Sequence, residues 1–127
     1  MIKGRQLLNK YIIHIPHASL NIPKSFKNKL TISYSKFQKE NRFISDYRID
    51  EFVPKDFSNI VKFDYSRMYC DVERYLDETK EEMSKYGMGV LYTKDSNGKD
   101  FVKREKRDIN LEIKKYKEHH EKLDLKK

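Results

Sequence analysis

The sequence predicts an α/β domain. Three observations carry that expectation: short apolar runs rich in β-branched residues, helical stretches between them, and a closing helix whose apolar residues recur at spacings of four and three. Strands alternating with helices imply helices layered on a sheet.

Residues 11–15 read as a buried strand, ended by Pro16. Asn21-Ile22-Pro23 signals a turn, and residues 24–30 follow as a short helix. Residues 35–51 are expected to be helical, with Phe37, Phe43, Ile44 and Tyr47 on an irregular apolar face. Ile60-Val61-Lys62-Phe63-Asp64 alternates and predicts a second strand. Asp77 is the expected N-cap of a helix over residues 77–86, with acidic Glu78 at its positive end. Gly87 would close that helix in the left-handed conformation. Val90-Leu91-Tyr92-Thr93 predicts a third strand and Ser96-Asn97-Gly98 a turn. The last helix is expected over about 103–125, with Ile109, Ile113, Tyr116, His120 and Leu123 on one stripe. His120 then points inward and His119 roughly 100° away.

The 127 residues fit one domain, 1–127, without repeats, low-complexity blocks or linkers. With 37% apolar and 38% charged residues the core is thin, yet 13% aromatic content argues for folding at a mean hydropathy of -0.94. No window approaches the roughly 20 apolar residues of a membrane span. Leu7-Leu8 and Tyr11-Ile12-Ile13 are too broken for a signal peptide. A single cysteine, Cys70, excludes an internal disulfide framework and fits the cytoplasm. The net charge of +8 raises the question of nucleic acid, and residues 1–39 contain no carboxylate. The excess is mostly lysine, much of it interleaved with Glu and Asp, and no nucleic-acid-binding signature is present, so neither nucleic acid nor membrane is expected as a partner.

The chemistry concentrates in two stretches. A strand delivers His17 into a turn, and Asp46 follows on the expected helix with Asp50 one turn on. A catalytic zinc takes three ligands from His, Asp and Glu and keeps one position for water. Strand ends in α/β sheets are also where ligands bind. His17 and Asp46 are therefore candidate metal ligands, against the plainer reading of His17 as a turn histidine bonded to backbone. His14, three residues earlier, reads as a buried strand residue or supporting partner. Arg67 follows the second strand, and Arg74 lies seven residues on; planar guanidinium groups suit a carboxylate. The competing reading pairs them internally, Arg67 with Asp71 and Arg74 with Asp77 or Glu78. Cys70, beside Asp71, is no candidate nucleophile.

These landmarks together resemble the N-formylglutamate amidohydrolases, zinc enzymes related in fold to the zinc carboxypeptidases. The stretches are His14-Ile15-Pro16-His17-Ala18-Ser19, Ser45-Asp46 and on to Asp50, and Ser66-Arg67 with Asp71-Val72-Glu73-Arg74. Next come Met83 with Gly87-Met88-Gly89-Val90-Leu91-Tyr92-Thr93, and Tyr116 with His119-His120 and Leu123. They stand in family order over nearly the whole chain. The resemblance implies a three-layer sandwich with a mixed sheet flanked by helices, of the phosphorylase/hydrolase-like kind. It implies His17 and Asp46 as zinc ligands, Arg67 and Arg74 as substrate-carboxylate binders, and His120 near the site as a catalytic contributor. The implied reaction hydrolyses an N-formyl (or N-acyl) amino acid, a small anionic substrate, to formate and the amino acid.

The family continues into a strand bearing an Asp-Cys-His-Ser-type segment with the third ligand, which has no counterpart here. The chain is thus expected to be an N-terminal part of such an enzyme, with an incomplete site and a sheet edge free to self-associate. The alternative function is a non-catalytic remnant that binds a small carboxylate through its arginines.

Overall fold

The computed structural model describes residues 11–127. The readings that concern the first ten residues lie outside them. The architecture is mixed α/β. Strand β1 (Ile13–Ile15) pairs in parallel with β2 (Ile60–Lys62), Ile13 opposite Ile60 and Ile15 opposite Lys62. Three α-helices accompany them: α1 (Lys24–Lys27), α2 (Tyr34–Ile44) and α3 (Ile109–Leu125). Among the described residues the sheet has these two strands alone, so the wider mixed sheet of a three-layer sandwich is not formed within them.

Both strands are shorter than the sequence suggests, because hydrogen bonding begins at the Ile13 amide, which donates to the Asn59 carbonyl, and ends where the Phe63 amide donates to Ile15. The expected third strand does not form a ladder. Val90, Leu91 and Tyr92 are buried, but the Val90 carbonyl accepts from the Asp71 amide at 2.8 Å and the Tyr92 carbonyl from Arg107. Apolar content there reports burial, which a strand and a buried loop share.

Helix α2 starts at Ser33, whose side chain accepts from the Lys36 amide, and stops at Ile44 instead of continuing to residue 51. Ser45 is extended, the Asp46 amide turns back to the His17 carbonyl at 2.8 Å, and Arg48 takes a left-handed φ of 66°. A short 3-10 turn, Ile49–Phe52, follows. The expected helix over residues 77–86 is likewise reduced to a 3-10 turn, Glu82–Tyr86, because the Asp77 carboxylate accepts from both the amide and hydroxyl of Thr79 and closes a turn of its own. Gly87 does end the segment with φ 72°, and a Cβ there would lie 2.6 Å from Lys94 Cγ. Helix α3 begins at Ile109, later than expected. Asp108 caps the Leu111 amide while the Glu112 carboxylate reaches back to the Asp108 amide, a reciprocal cap that fixes the start.

The core is built mostly from the non-helical segments. Phe63, Met68, Tyr69, Cys70 and Val72 meet Val90, Leu91, Tyr92, Phe101 and Val102, with Phe26 and Phe37 arriving from α1 and α2. Arg107 sits inside this core beside Phe26. Its guanidinium donates to the carbonyls of Met68, Tyr69 and Tyr92 and to the Glu112 carboxylate at 2.7 Å. One buried cation therefore ties the segment ahead of Asp71 to the segment carrying Tyr92. No helix among the described residues is long and apolar enough to cross a membrane.

Candidate active site

Asp71 is the centre of the site. It follows a tight turn in which the Tyr69 and Cys70 amides both donate to the Ser66 carbonyl. That turn is anchored to α2 through buried Ser66, whose hydroxyl donates to Asn41 Oδ1, while Asn41 Nδ2 holds the Leu20 carbonyl. The result is a carboxylate with no exposed surface, surrounded by donors. Oδ1 accepts from His17 Nε2 at 2.7 Å and from the Glu73 amide at 3.0 Å. Oδ2 accepts from the Tyr92 hydroxyl and lies 3.4 Å from both Arg67 Nη2 and Arg74 Nε. Burial alone would raise the Asp71 carboxyl, but the His17 and Tyr92 hydrogen bonds and the Arg67 charge outweigh it and hold it low. Burial, reinforced by the Asp71 charge, pushes the Tyr92 phenol up to about 12, so it stays a donor.

The internal pairing of Arg67 with Asp71 is therefore realised. Arg67 also donates through Nε to Tyr92 and through Nη1 to the Ile44 carbonyl. Arg74 pairs with Asp71 and with the Met88 carbonyl, whereas Glu78 is taken by Arg104. Each guanidinium has five N–H donors and is not exhausted by these bonds. With Asp71 ionised, two guanidinium groups face one buried carboxylate, and the Glu81 charge also acts on Arg74.

His17 comes off the end of β1, and its carbonyl holds the Asp46 amide, so the two predicted ligands are neighbours through the backbone. Asp46 itself is exposed and lies in the turn after α2, not on the helix. Asp50 is drawn away by Lys62. Beside this turn opens a cleft of about 630 Å³ lined by residues that include Ser19, Asn21, Tyr47, Arg48 and Asp64, at the carboxyl ends of the two strands. A second cleft of about 510 Å³, between Lys36, Phe43 and Lys99, contains none of the histidines and no part of this chemistry.

Three of the chain's four histidines meet three consecutive residues. Asp71 holds His17, the Val72 carbonyl accepts from His120 Nε2 at 2.8 Å, and Glu73 Oε1 stands 3.4 Å from His14 Nδ1. His119 completes the group, its Nε2 2.7 Å from His14 Nε2. His119 is the more buried member of the adjacent pair, while His120 stacks on Tyr116 with ring centres 4.4 Å apart. Sequence reasoning missed Asp71 as the hub, Tyr92 as its partner, and the contacts between His14, Glu73 and His119. A buried acidic residue two positions after a turn gives no periodic signal; only the mixture of Arg, Asp and Arg within eight residues hints at it.

The histidine cluster makes the fold sensitive to acid. Burial pushes His119 down to about 4, with His14 and His120 adding to it, and burial also lowers His14. A histidine with a lowered folded pKa binds fewer protons than the unfolded chain, so stability is lost as pH falls from about 6.5 toward about 4. The His119 shift corresponds to about 3 kcal/mol, with His14 adding in the same direction. Below that window Asp71, held low in the fold, loses its contribution as it protonates. Urea denaturation at pH 7 and pH 5 should show this loss, and a His119→Phe variant should flatten it.

Among the described residues no group of three His, Cys, Asp or Glu is arranged to hold a metal ion. His17 nonetheless fits one in kind. Its Nε2 proton is committed to Asp71, so in the neutral ring Nδ1 carries the lone pair, and a carboxylate on the far nitrogen is the usual support of a metal-bound histidine. With Asp46 this makes two donors, one short of a catalytic zinc's three. A family model described as N-formylglutamate amidohydrolase matches residues 9–125. Comparison with curated proteins and with solved structures gave no match.

Proposed function

Since the chain belongs to the N-formylglutamate amidohydrolase family, we propose that it serves zinc-dependent hydrolysis of an N-formyl or N-acyl amino acid, releasing formate (or the acyl acid) and the free amino acid. The observation that carries this reading is the Asp71 hub: one buried carboxylate that orients a histidine on one side and two arginines on the other. His17 and Asp46 would hold the ion, which supplies a Lewis acid and an activated water when bound. The three-layer sandwich belongs to the same proposal.

The residues themselves do the positioning. Asp71 fixes the His17 ring through Nε2 and leaves Nδ1 as the nitrogen that would meet the ion. Arg67 and Arg74, each with about a fifth of the side chain accessible, offer their remaining N–H donors to the substrate carboxylate. Tyr92, kept protonated, bridges both arginines to Asp71 and prevents the guanidinium groups from turning away. His120, tied to the Val72 carbonyl, braces the peptide between Asp71 and Glu73 and approaches the reaction from the α3 side.

A binding module for a small carboxylate is the second reading, favoured by the count of two metal donors beside an intact arginine pair. Formate release from N-formyl-L-glutamate distinguishes them. The proposal expects release that requires added zinc and disappears in His17→Ala. Substrate-induced stabilisation with no formate at any zinc concentration would establish the binding reading instead.

A further inference from the structure

We propose that His14 and His119 form a second cation site, for a borderline divalent metal such as zinc, nickel or copper, distinct from the one proposed at His17. The two Nε2 atoms point at each other across 2.7 Å, with the rings tilted by 31°. Two neutral imidazoles in this arrangement share one proton in a hydrogen bond. A cation between them engages both lone pairs.

The surroundings favour that exchange. Glu73 Oε1 faces His14 Nδ1 at 3.4 Å and draws the ring proton to that side, which exposes the Nε2 lone pair. His119 then donates in the cation-free state and needs only to move its proton from Nε2 to Nδ1, a tautomer change with no net proton release. Its ring is buried edge-on against Phe63, centres 5.2 Å apart, so it provides a fixed wall. The His14 side chain is 22% exposed and can yield. Tetrahedral zinc with bonds of about 2.0–2.1 Å needs its nitrogens about 3.3 Å apart, an opening of roughly 0.6 Å.

Imidazole donors suit zinc, nickel and copper, with copper the tightest. Water fills the other positions, which agrees with the lack of any three-donor group among the described residues. Lys62, Lys115 and Lys122 border His119 in a small pocket of about 160 Å³ and oppose the cation, while Asp64 and Glu118 in the same pocket and Glu73 beyond His14 balance them, and Lys62 is itself paired with Asp50. With two protein ligands the site is weaker than a three-ligand centre.

Zinc titration of the full chain in a His17→Ala background tests the site, since the other proposed centre is then disabled. One zinc bound, and lost on adding His14→Ala, is expected. No zinc bound, or binding that survives His14→Ala, overturns the proposal. Should the double variant fail to fold, ¹⁵N spectra of the imidazoles in the unmutated chain decide. Zinc should shift the His14 and His119 signals together, and unchanged signals for both would overturn it.

Discussion

Arg107→Met is expected to destabilise the fold by about 3–5 kcal/mol, the range for leaving one member of a buried ion pair without its partner. The magnitude is large because the loss is not one bond. Arg107 saturates three backbone carbonyls as well as Glu112, and its own burial is nearly complete. Removing it strands Glu112 inside the core together with the carbonyls of Met68, Tyr69 and Tyr92. Domains of this size commonly hold only about 5–15 kcal/mol in total, so the variant should lie near the folding threshold. Arg107→Met combined with Glu112→Leu should be less damaging than Arg107→Met alone, because the stranded carboxylate is gone. Urea denaturation of the three chains measures both differences. Equal losses in the single and double variants would show that the carbonyl bonds, not the ion pair, dominate.

The second large effect is expected at Asp71→Asn, and it falls on ligand chemistry as well as on folding. Asn keeps the size but can accept on one side only. The oxygen should turn toward Tyr92, Arg67 and Arg74, where three donors converge, which aims the amide –NH₂ at His17 and at the Glu73 amide. His17 must then accept at Nε2 and carry its proton on Nδ1, the nitrogen proposed as metal donor. Zinc affinity at His17 should fall by about 10–100-fold, the usual effect of removing a histidine's supporting carboxylate. Calorimetric zinc titration of the original and variant chains checks this. An unchanged affinity would mean that His17 does not bind through Nδ1.

Much of the fold was legible where local chemistry decides the outcome. Gly87 ends its segment in the left-handed region as its type demands, and α3 was visible from its stripe. What failed to read was long-range. Residues 90–93 look like a strand from composition, but their backbone groups are claimed by Asp71 and Arg107, which lie 15 to 19 residues away in sequence. Helix α2 ends early because the Asp46 amide finds the His17 carbonyl, a partner no local pattern announces. The same limit applies to the site. His17, Arg67 and Arg74 stand out by type and position, and the structure brings them together. Their common anchor is an aspartate that resembles any surface carboxylate in sequence. His119 and His120 differ by one residue, and periodicity alone assigned the deeper burial to the wrong one.

The central claim is that Asp71 holds His17 as an Nδ1 donor, and its most direct test is the ¹⁵N spectrum of the His17 ring at neutral pH without metal. For the neutral ring the proton is expected on Nε2 with Nδ1 bare, and the reverse in Asp71→Asn. A proton found on Nδ1 with Nε2 bare in the unmutated chain would contradict it, because the hydrogen bond to Asp71 would then have no donor and the proposed metal position no lone pair.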